Sequence, residues 1–82
     1  MTTPIDPSFA ELAHLKIETL LGEARGRALF DVVLREARLT EISDAVDLLD
    51  FGEALQKRGG VEGAVGSILR FQALLRGAKS RR

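Results

Sequence analysis

The chain has 82 residues, with twelve basic and twelve acidic side chains, one histidine and no cysteine. That length makes one domain near the small end of what folds alone, and the missing cysteines exclude a disulfide framework or a thiolate metal site. The balanced charge excludes a global field that would draw in nucleic acid or an anionic membrane, and the absence of Trp and Tyr removes common interface hot spots and stacking platforms.

Thirteen Leu, five Val, four Ile, four Phe and ten Ala supply enough apolar material for three or four packed helices. The stability margin of a lone copy is thin at this size, and dimerisation would widen it. Met1 to Pro7 lacks a basic region followed by a long apolar run, so it does not read as a secretory signal. No apolar stretch approaches the roughly eighteen residues of a membrane span. The expectation is a cytoplasmic protein of one helical domain, 1–82, with 1–6 and 78–82 as short flexible ends.

Helix signals dominate; no run of residues alternates as a strand would. The first helix opens near Asp6 or Ser8, because Asp6-Pro7 reads as cap and first position and Ser8 to Glu11 forms a capping box. Phe9, Leu12, Ala13, Ile17, Leu20 and Leu21 recur at helical spacing, and Gly22 is the predicted stop. A second helix runs from about Ala24 to Ala37, with Leu29, Phe30, Val33, Leu34 and Ala37 inward. Arg27, Asp31 and Arg35 are four apart on its outside, placed to pair. Gly26 weakens its start.

Thr40 or Ser43 is the predicted cap of a third helix, with Glu41 and Asp44 in its first turns, where acids suit the macrodipole. Ile42, Ala45, Val46, Leu49, Gly52 and Leu55 form its stripe, and Gly59-Gly60 ends it. The fourth helix follows from Val61 to Arg76, with Gly77 as terminator and a basic tail beyond. Links of two to four residues make neighbouring helices antiparallel or sharply angled.

The fourth helix carries more oil than one side of a bundle needs. Val61, Val65, Ile68, Leu69, Phe71, Leu74 and Leu75 span roughly 220° of its circumference, against the roughly 100° stripe of a surface helix. Either it runs through the middle of the fold or one flank is kept for a partner. Gln72 falls inside that arc, where it either reaches solvent near the helix end or fixes the register of an interface. Gly63 and Gly66, with Ala64, give the helix a small-residue face for close approach of a second backbone, either the third helix at Gly52 or a second copy of the chain.

Charge is unevenly spread. Glu41, Asp44, Asp47, Asp50 and Glu53 lie between Leu39 and Gln56 with no base among them; seven bases and one acid follow from Lys57 onward. Asp44, Asp47 and Asp50 share the side opposite the third helix's apolar face, a solvated face or a docking surface for a basic partner. Their spacing does not match a calcium loop. Gly59 to Gly63 precedes a helix but follows no strand and is followed by no Lys-Ser or Lys-Thr, so it is not a phosphate loop. His14 has Glu11 and Glu18 one turn away and no nucleophile to serve.

These patterns predict an all-α, compact four-helix bundle with short connections and the last helix the most buried. The expected role is non-enzymatic: a small adaptor or regulator working through protein–protein interaction, as a homodimer or on a larger protein, with no cofactor, metal, membrane or small-molecule substrate. Its partner-binding residues are Leu69, Phe71, Gln72, Leu74 and Leu75, with Asp44, Asp47 and Asp50 steering encounter. The alternative is a nucleic-acid-associated protein using its basic end, Arg76, Lys79, Arg81 and Arg82, whose contact would be weak and salt-sensitive.

Overall fold

The computed structural model describes residues 8–78, and these form four helices and no strands. They are α1 (Phe9–Leu21), α2 (Glu23–Glu36), α3 (Ala45–Gln56) and α4 (Gly60–Leu75). The fold is the four-helix bundle that the apolar periodicity predicts.

Caps and glycines set the boundaries. Ser8 opens α1: its Oγ accepts the Glu11 N–H at 3.1 Å, and the Asp6 alternative lies outside the described residues. Gly22, at φ 86°, closes α1 and alone separates it from α2. Because one residue joins them, α1 and α2 must pack as a close pair. Gly26 makes that possible rather than merely weakening α2: a Cβ there would lie 3.0 Å from Glu18 Cγ and 3.1 Å from Ile17 Cγ2. On the outside of α2, Arg27 pairs back to Glu23 at 3.0 Å, not forward to Asp31. Arg35 Nε reaches the Asp31 main-chain carbonyl rather than its carboxylate.

The α2–α3 connection, 37–44, is longer than predicted. It starts with Arg38 in the left-handed region (φ 61°), which lets the Leu39 N–H reach the Leu34 carbonyl at 2.9 Å. Neither Thr40 nor Ser43 caps α3; Asp44 does. Its Oδ1 accepts the Asp47 N–H at 2.8 Å, while Asp47 Oδ2 accepts the Ser43 N–H at 3.0 Å. The reciprocal pair outcompetes the single hydroxyl caps because it satisfies two main-chain N–H groups where a lone hydroxyl satisfies one.

The core draws on every helix: Ile17 from α1, Val33 from α2, Leu48, Phe51 and Leu55 from α3, and Val65 and Leu69 from α4 are all fully enclosed. The most buried helix is α3, not α4, since half of its twelve residues are buried against five of sixteen in α4. Leu48 and Phe51 lie off the stripe drawn from the sequence, yet both are inside. That burial follows from position: α3 packs closely on α4 and also meets α1 and α2. Leu20, one of the apolar positions recurring at helical spacing along α1, is 52% exposed. Ala78, assigned to a flexible end, is buried, its N–H held by the Ala73 carbonyl at 3.0 Å.

Side-chain contacts also tie the elements together at the bundle surface. Arg58 donates to Glu62 Oε1 at 2.6 Å and to Glu36 Oε2 at 3.0 Å, tying the end of α2 to the α3–α4 turn. Glu62 and then Glu36 hold that guanidinium more basic than usual. His14 stacks on Phe30 at 3.7 Å, and Phe30 touches Phe51 at 4.9 Å, so the imidazole caps the outer end of an aromatic row running from α1 to α3.

Candidate functional site

The α3–α4 pair decides which way α4 faces. Gly52 on α3 and Gly63 and Gly66 on α4 leave the two backbones in direct contact; a Cβ on Gly63 would sit 3.1 Å from the Gln56 carbonyl oxygen. Gln56 Nε2 then donates to Ser67 Oγ at 2.9 Å, and that hydroxyl donates to the Gly63 carbonyl at 3.2 Å. With Gly63 and Gly66 pinned to α3 and Val65, Leu69 and Ala73 in the core, α4 has no freedom to roll, and Ala64, assigned to the same small-residue face, turns outward instead. The opposite side is forced outward.

That outward side is apolar. Val61 is 58% exposed, Ile68 41%, Phe71 62% and Leu75 71%, with exposed Ala64 between them. At about 100° per residue these five fall within a stripe about 80° wide. Their separations are three, four, three and four residues, the spacing that keeps side chains on one straight seam of a helix. No charged residue falls on the seam. Gln72 borders it, half-buried, with an amide oxygen that is shielded and finds no partner among the described residues.

Four of the residues predicted from sequence on this helix are therefore at or beside the surface: Phe71, Leu75, Gln72 and Leu74, the last lying about 100° around from Leu75. Leu69 is not. It is fully buried, because it points between Val65 and Ala73 into the core, and it cannot touch a partner. Val61, Ala64 and Ile68 were missed as a contact set, although their three–four spacing with Phe71 and Leu75 was the available signal.

The acids predicted to steer a partner are elsewhere and otherwise occupied. Asp44 and Asp47 make the α3 cap, and Asp50 is half-buried with an interaction of its own. Of the basic end only Arg76 is described; it is exposed, its guanidinium 6.0 Å over the Phe9 ring. Lys79, Arg81 and Arg82 lie outside the described residues.

A shallow hollow of about 290 Å³ on α1 is lined by Glu11, His14, Leu15 and Glu18, with His14 Nδ1 3.7 Å from Glu18. Its lining comes from one helix, so it has no facing wall to hold a ligand. Among the described residues no three His, Asp or Glu side chains come together as a metal site. No helix among them is long and apolar enough to cross a membrane.

No family model matches this sequence, and no curated protein or solved structure is significantly similar to it.

Proposed function

We propose that this chain is a protein–protein interaction module whose contact surface is the outward seam of α4: Val61, Ala64, Ile68, Phe71 and Leu75. One observation carries the reading. A small domain that encloses Phe51, Leu48 and Leu55 completely still leaves Phe71 and Leu75 more than 60% exposed, side by side on a rigid helix. Covering such a stripe with a second apolar surface releases water from large side chains whose backbone is already ordered. A phosphate-bearing partner gains nothing from an uncharged seam.

The test is a photoreactive amino acid placed at Phe71 or Leu75 in the cells that make the protein. The expected result is a discrete protein adduct at both positions and none at exposed Ala24 on α2. Absence of any adduct at 61, 68, 71 and 75 overturns the reading.

A further inference from the structure

Resting on that reading, we propose that the occupant of the α4 seam is a second copy of the same chain, α4 against α4 about a two-fold axis. Three observations choose this occupant.

The first is the pattern. Val61, Ala64, Ile68, Phe71 and Leu75 repeat at alternating steps of three and four, and a helix so marked is complementary to itself, since the knobs of one copy meet the holes of the other. The seam runs fifteen residues, a rise of about 21 Å, centred on Ile68. With the two helices parallel, a two-fold axis along the seam sets each seam residue against its own copy.

The second is charge. The seam carries none, and on its α3 flank Arg70 sits 3.9 Å from Glu53, so that flank presents a neutralised pair rather than a field of one sign. Two identical surfaces therefore meet without like charges opposed, the usual obstacle to self-association.

The third is area. The five side chains leave on the order of 500 Å² uncovered, the size of a functional patch on a small monomer. Pairing two copies covers on the order of 1,000 Å², at the threshold of a specific interface. The dimer is accordingly a reversible one, populated at high concentration.

The sequence has no cysteine, so a single introduced thiol reports cleanly. Sedimentation equilibrium of the full chain over a micromolar-to-millimolar series should show mass rising from one chain to two. Phe71→Glu should hold it at one chain throughout while leaving the helical circular dichroism unchanged. Under mild oxidation Ile68→Cys should form a covalent dimer, and Ala24→Cys should not. A single-chain mass at every concentration overturns the pairing, and so does a dimer indifferent to Phe71→Glu. The two proposals fail separately: a strict monomer whose residue 71 cross-links to a different protein in cells rejects the second copy and keeps the interaction surface.

Discussion

Gly52 and Gly66 touch across the α3–α4 interface with no room for a methyl group on either. A Cβ on Gly66 would lie 2.7 Å from the Gly52 carbonyl oxygen and closer still to the Gln56 nitrogen; one on Gly52 would lie 2.9 Å from the Arg70 nitrogen. The obstructing atoms are backbone and cannot swing aside. Helix propensity alone would reward Gly66→Ala by up to about 1 kcal/mol. The clash reverses the sign, because separating two packed helices costs about 1–3 kcal/mol or more. We expect Gly66→Ala to lower the melting temperature by on the order of 10 °C by circular dichroism. A higher melting temperature would mean the helices part without cost.

The α3 cap gives a prediction that separates charge from hydrogen bonding. Asp44 accepts the Asp47 N–H through a side-chain oxygen, a job that asparagine does as well. Asp44→Ala should cost about 1 kcal/mol of unfolding free energy in urea. Asp44→Asn should cost much less. Equal losses for the two would show that the carboxylate charge at the start of α3, rather than the cap bond, matters there.

The same cap shows where reading the sequence stops. Thr40, Ser43 and Asp44 are all competent caps, and local chemistry does not rank them; the reciprocal use of Asp47 does. Terminators were easier: Gly22, Gly59 and Gly77 each take a positive φ where a helix ends, and few other residues do so readily. Arg38 takes one too and gives no warning. The Gly52 hollow opposite Gly63 and Gly66 was visible because glycines inside helices need a reason. Gly26 needed the fold, since its reason is a one-residue link to α1. On α4 the surplus of apolar residues was legible, but which flank turned outward was not. That direction is set by Gly63 and Gly66 meeting α3, and it is what buries Leu69 while exposing Val61 and Ile68.

Two phenylalanines of the same chain should behave oppositely. Phe51 is fully enclosed and in contact with Phe30, so Phe51→Ala leaves a cavity and should cost about 3–5 kcal/mol. That is a large part of the roughly 5–15 kcal/mol that holds a small domain together. Phe71 is 62% exposed. Phe71→Ala, measured on dilute protein, should change unfolding free energy by no more than about 0.5 kcal/mol. A loss at Phe71 comparable with that at Phe51 would place its ring inside the fold and remove the seam.

Gln72 offers the reverse of the usual mutation, a stabilisation. Its amide oxygen is shielded from water with no partner among the described residues, while its neighbours around the helix, Val65 and Leu69, are fully buried. An unsatisfied buried acceptor costs about 1–3 kcal/mol, and an apolar side chain of similar size removes that cost. Gln72→Leu should therefore raise the melting temperature of dilute protein by several degrees, about 4–8 °C for each kcal/mol recovered. Gln72→Glu, which forces a charge into the same place, should lower it. If Gln72→Leu instead melts earlier than the natural chain, the oxygen has a bonding partner in solution, and the amide stabilises the fold.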